Sequence, residues 1–199
     1  MVGFPIGFVM WVLSFGPVPN EPGPIARHLA LFILREADSH FHQGRYPEAI
    51  VRDLMAAMIN PSLYEAFQAG GWLIESIGVD VRDESLQRRG LEIYKLGARA
   101  NPKEPLAFVD VAFWFEVRGK FGEAAKWYGK AAQVAKVFAP KFYPVPRKME
   151  AHCLFKAGKV ESSLLIWEEL ARIYPDDPVI RRNLEKVRSA LRSRTGCGR

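Results

Sequence analysis

The sequence is short of the residues on which most chemistry depends. It holds two cysteines and four histidines in 199 residues. Cys153 and Cys197 lie far apart, so neither a disulfide framework nor a metal-binding spacing follows from them. His40 and His42 are two residues apart and would face different ways on a helix, whereas a metal needs an i, i+4 pair. No phosphate loop, nucleophile elbow or dinucleotide fingerprint is present. The acids Asp176 and Asp177 sit in a turn and read as a helix start, and Asn60-Pro61-Ser62 fails as a glycosylation acceptor because proline holds the middle place. These absences argue against an enzyme, a metal, a cofactor and a small-molecule substrate.

Charge is missing from the first 20 residues. A helix needs roughly 20 apolar residues to cross a bilayer, and this run barely reaches that length, with Pro5 weakening its start. The basic flank of a cleaved signal peptide is absent. The expectation is a membrane anchor through residues 1–19, the side left open, with a cytoplasmic or exported protein as the alternative. An apolar arm packed on the first helix is the other way to use the segment. Arg27, the first basic residue, mildly favours a cytoplasmic C-terminal part. Pro17, Pro19, Pro22 and Pro24 then form a stiff spacer that cannot continue a helix.

What is present is a core. Hydrophobic residues make up 49% and charged residues 25%, enough to bury an interior in a chain of this length. The net charge of +6 comes largely from the C-terminal end. Pro105 to Ala132, PLAFVDVAFWFEVRGKFGEAAKWYGKAA, reads as two helices with a tight turn at Gly119. Phe108, Val111, Ala112 and Phe115 recur at helical spacing on the first, and Ala124, Trp127, Tyr128 and Ala131 on the second.

The spacing Phe-x2-Val-Ala-x2-Phe followed by Ala-x3-Tyr and Ala resembles the tetratricopeptide repeat (TPR), a helical hairpin of about 34 residues. Gly44, Gly78, Gly119 and Gly158 serve as a ruler, at intervals of 34, 41 and 39 residues. Pro61 to Pro102 spans 41 and Pro102 to Pro175 spans 73, which implies the same two insertions. The first of these is assigned to a polar turn at Val79–Ser85 and the second to the proline-rich APKFYPVP. The resemblance implies an all-α, right-handed α-solenoid of about four hairpins, with units at 26–61, 62–102, 103–143 and 144–177. A capping helix follows at 178–194, the hydrophobic segment and linker precede at 1–25, and 195–199 is a tail. Ile180, Leu184, Val187 and Leu191 form the apolar stripe of the cap, whose other face is basic, as the wet end of a stack requires.

In such arrays the first helices line a groove. Its usual positions fall on Leu31, Leu34, Asp38 and Phe41 in the first unit and on Glu65, Gln68, Trp72 and Glu75 in the second. In the third they fall on Leu106, Val109, Phe113 and Glu116, and in the fourth on Lys148, His152 and Phe155. The resemblance thus implies a non-enzymatic scaffold binding another protein, with Trp72 and Phe113 as stiff aromatic anchors. A segment with apolar and basic residues suits this groove. The positions that grip acidic C-termini in carboxylate-clamp repeats are here Leu34, Asp38, Ala69 and Asp110, so an acidic tail is excluded as the occupant. The cluster Arg181, Arg182, Lys186, Arg188, Arg192 and Arg194 offers an alternative contact with nucleic acid or anionic lipid, but no interleaved aromatics favour nucleic acid. Regulation of an enzyme in trans is the remaining alternative.

Overall fold

The computed structural model describes residues 22–196, with side chains to residue 193. The described residues form nine α-helices and no strand: α1 Pro24–His42, α2 Tyr46–Ile59, α3 Tyr64–Asp80, α4 Glu84–Ala100, α5 Pro105–Glu116, α6 Phe121–Phe138, α7 Pro144–Lys156, α8 Val160–Ile173 and α9 Pro178–Gly196. Prolines open α1, α5, α7 and α9, where the missing N–H is no loss because the first turn has no acceptor for it. Asn60 and Asn101 close α2 and α4, each just before a proline that cannot stay helical. The chain divides into two compact units between Asn101 and Pro102.

Within the N-terminal unit, α1 packs on α2, α2 on α3, and α3 on α4. The core joins Ala30 and Ile33 from α1 to Ile50, Leu54 and Ala57 from α2 and to Phe67, Leu73 and Ile74 from α3. Each large aliphatic side chain buried in this way contributes about 1.5–3 kcal/mol. The Asn101 amide donates to the Pro61 carbonyl at 2.9 Å and so ties the end of α4 to the turn between α2 and α3.

Within the C-terminal unit, α5 packs on α6, α6 on α7, α7 on α8, and α8 on α9. One cluster joins Ala112, Ala124, Ala125, Tyr128 and Cys153. A second runs from Ala132 and Ala135 through Trp167 and Leu170 to Ile180, Leu184 and Val187 on α9.

The four tight turns share one construction. In each, a residue with positive φ follows the first helix, and the next backbone N–H reaches back five residues to a carbonyl: Arg45 to His40, Asp83 to Gly78, Lys120 to Phe115, and Lys159 to Leu154. This is the Schellman closure, which satisfies carbonyls the helix end leaves open. Gly44, Arg82, Gly119 and Gly158 hold the positive φ, at intervals of 38, 37 and 39 residues.

That spacing corrects the glycine ruler. Gly78 is not a turn residue but lies inside α3, and a Cβ on it would sit 2.7 Å from the backbone nitrogen of Gln87. The turn position belongs to Arg82, with φ +56°. Only Val81 to Asp83 lie outside helices here, so the extra length expected as a turn at Val79–Ser85 is taken up mainly by α3 and α4, of 17 residues each.

The membrane-anchor expectation is also corrected. No helix among the described residues is long and apolar enough to cross a membrane. Residues 1–19, on which that expectation rested, lie outside the described residues.

Candidate functional site

Helical spacing sets Leu34, Asp38 and Phe41 on one face of α1, and Glu65, Gln68 and Trp72 on one face of α3. In the N-terminal unit these faces meet around a cavity of about 320 Å³, lined by Leu34, Ala37, Asp38, Phe41, Asp53, Glu65, Gln68, Ala69, Trp72 and Leu73. The Phe41 and Trp72 rings form one wall, tilted at 60° with centroids 6.0 Å apart. Trp72 remains 51% exposed, so its ring is open to an occupant. Leu34, Ala37, Ala69 and Leu73 make an apolar floor.

The polar groups of this cavity are acidic. Asp38, Asp53 and Glu65 contribute carboxylates, Gln68 contributes an amide, and no lining residue is basic. Asp38 and Glu65 reach solvent, and Asp38 Oδ1 stands 3.4 Å from His42 Nε2. Asp53 differs, being only 2% exposed. Among the described residues its carboxylate has neither an ion-pair nor a hydrogen-bond partner. Burial, reinforced by the negative charge of Asp38, pushes its carboxyl up to about 7. Among the described residues no group of His, Cys, Asp or Glu is arranged to hold a metal ion.

Asp53 is the residue that reasoning from first helices passes over, because it belongs to α2. Its signal was nevertheless legible: Ala49, Ile50, Asp53, Leu54, Ala56 and Ala57 form a buried stripe, and one member of it is an acid. A charged residue at an apolar position is rarely placed there without a partner or a task.

The other groove positions have different surroundings. The Glu75 carboxylate accepts from the Tyr94 hydroxyl at 3.2 Å and braces α3 against α4. In the C-terminal unit Phe113 is 56% exposed, while Val109 is partly buried beside the α5–α6 core. Glu116 accepts from the Tyr128 hydroxyl at 2.6 Å. Burial and this contact together hold the Tyr128 hydroxyl far above the usual range. Lys148 pairs with Asp177 at 2.6 Å, and Asp177 also accepts from the first amides of α9, Val179 at 2.8 Å and Ile180 at 3.2 Å. Phe155 packs into the terminal core with the Lys186 ammonium 5.5 Å from its ring centroid, and His152 is partly buried on α7. Burial and Glu116 push the Cys153 thiol up to about 12, which leaves it inert.

On the basic helix, Arg188 pairs with Glu168 at 2.9 Å, and Arg181, Arg182 and Arg192 are exposed. The Arg194 side chain lies outside the described ones.

Antiparallel helical hairpins closed by one recurring turn define an all-α helical repeat protein. No family model matches the chain, and no curated protein matches it either. Among solved structures it is similar to PilF of Pseudomonas aeruginosa, at 14% identity over 84% of this chain and 71% of that one, with a TM-score of 0.58. It also aligns with the first TPR of Spaghetti bound to an HSP90 peptide, at 18% identity over 81% of this chain and 94% of that one, with a TM-score of 0.43. A thermophilic TPR protein of Thermus thermophilus aligns at 15% identity over 79% of this chain and 98% of that one, with a TM-score of 0.44. The chain is, in its fold, a TPR-like helical repeat protein.

Proposed function

We propose that the chain is a non-enzymatic scaffold that binds a segment of another protein on the first-helix faces of its repeats. The observation that carries this reading is the open aromatic cavity of the N-terminal unit, where Phe41 and half-exposed Trp72 stand beside the carboxylates of Asp38, Asp53 and Glu65. Large, stiff aromatics in a concave, partly desolvated site are the residues on which protein interfaces concentrate their binding energy. Phe113, half-exposed on α5, offers the C-terminal unit an anchor of its own. The basic helix α9 supports a nucleic-acid or lipid contact less well, because Lys186 and Arg188 are engaged within the unit.

The test is an affinity pull-down with the full chain, set beside Trp72→Ala, Phe113→Ala and, as a surface control, Val79→Ser on exposed Val79. Melting temperatures are matched first. Partners retained by the control and lost from Trp72→Ala are the expected result. Partners unchanged in all three variants would move recognition off the first-helix faces and end this reading.

A further inference from the structure

We infer that the cavity between α1, α2 and α3 is the seat of one cationic side chain of the bound segment, arginine in preference to lysine. This rests on the scaffold reading above and specifies the chemistry of its occupant. Three features converge on a cation. The walls are the Phe41 and Trp72 rings, whose faces attract a guanidinium. The floor is aliphatic, from Leu34, Ala37, Ala69 and Leu73, and fits the methylene stem of a long basic side chain. At the polar end stand acceptors of one sign, Asp38, Asp53 and Glu65.

The deciding group is Asp53. An acid at 2% exposure, lining a cavity and lacking any partner among the described residues, is an acceptor left waiting. A neutral apolar occupant would complete its desolvation and compensate nothing. An acidic occupant would meet the like charges of Asp38 and Glu65 and hold the Asp53 proton in place. A guanidinium alone supplies charge, several donors in a fixed fork and a flat face for the rings, and for that reason arginine is preferred. Since Asp53 titrates near neutrality, an arriving cation displaces its proton. The charged or titratable groups facing it are Asp38 from α1, with His42 beside it, and Glu65 from α3.

The experiment titrates the full chain into fluorescein-labelled heptapeptides with blocked ends and leucine on either side of a central arginine, lysine or citrulline. Citrulline keeps the shape of arginine and loses the charge. The expected result is binding of the arginine peptide about tenfold tighter than that of the citrulline peptide, the scale of one charge-assisted contact. Asp53→Asn should abolish that preference, while Trp72→Ala weakens binding of both peptides. Asp38→Asn, a change at an exposed position, gives a smaller loss and guards against a folding artefact. Equal affinities for arginine and citrulline, a preference that survives Asp53→Asn, or no binding of the arginine peptide at millimolar concentration would each overturn the inference. Equal affinities that are both lost in Trp72→Ala would retain the scaffold and remove only the cation seat.

Discussion

The two units differ in one buried acid. In the C-terminal unit a set of buried and part-buried polar groups has partners. The Ser163 hydroxyl donates to the Ala151 carbonyl at 2.7 Å, Tyr128 meets Glu116, Lys148 meets Asp177, and Arg147 bridges Glu150 and Glu169 while Tyr143 donates to Glu169. In the N-terminal unit Tyr94 meets Glu75, but the buried acid Asp53 has no such match among the described residues, and the two aromatics beside it are incompletely covered. Groove positions therefore serve as internal braces at Glu75, Glu116 and Lys148, and line a cavity at Asp38, Phe41 and Trp72. A repeat architecture sets where side chains point; the long-range partner decides whether they are spent.

The largest effect that would sharpen this contrast is at Asp53. Its folded pKa, about 7, lies above the ordinary value of 3.8, so the folded state holds the proton more tightly. Stability from this group is complete below about pH 4 and falls as pH rises through 7. Asp53→Asn should remove that slope and stabilise the protein at pH 8 by up to roughly 4 kcal/mol, at about 1.4 kcal/mol per pKa unit. Urea midpoints of both proteins from pH 4 to 8 check this, and parallel curves would refute it.

Next is Gly78→Ala, expected to cost about 3 kcal/mol because the new methyl group meets the α4 backbone, which cannot move aside as a side chain would. Gly119→Ala should cost only about 1 kcal/mol, since nothing lies within 4 Å of its added Cβ and the positive φ is the sole penalty. Chemical denaturation of the two variants separates a crossing glycine from a turning one.

Glu169→Gln tests the braces of the C-terminal unit. Burial raises the Glu169 carboxyl, but hydrogen bonds from Tyr143 and Arg147 outweigh it and leave the group below its usual range. Its contribution is thus present above about pH 4.5 and lost on acidification. The variant should be about 2 kcal/mol less stable at pH 7, the cost of weakening a partly buried charged contact, and nearer to wild type in acid. The smallest effect is at the odd turn. Arg82→Gly should stabilise by about 1 kcal/mol, because glycine takes a positive φ without the Cβ penalty. A thermal melt decides it.

Much of the fold was legible because helices announce themselves locally. The stripes of α5 and α6, the Asn-Pro stops and the prolines that open first helices are short-range signals, and each lies where its element begins or ends. The glycine ruler failed because one residue type performs two tasks: Gly119 turns the chain, whereas Gly78 lets two backbones approach. The turn at Arg82 had no letter to mark it. At the site, Leu34, Asp38, Phe41, Gln68 and Trp72 were named as groove positions through the repeat resemblance, and they line one cavity. Glu75, Glu116 and Lys148 proved to be braced because Tyr94, Tyr128 and Asp177 approach them through tertiary packing. Asp53 was missed because it comes from a second helix.

The glycine-lined crossing has a kinetic consequence. Gly71 and Gly90 approach so closely that a Cβ on Gly90 would lie 2.8 Å from the Gly71 carbonyl oxygen, and Gly97 is equally tight against Phe67. Helix α3 is thereby clamped along the side that faces α4, while Glu65, Gln68 and Trp72 project from another side of the same rod. Under the proposed function, a segment docking on that wall would find it already set and would order little of the receptor on arrival. Association should then proceed in a single step, its rate set by encounter rather than by rearrangement.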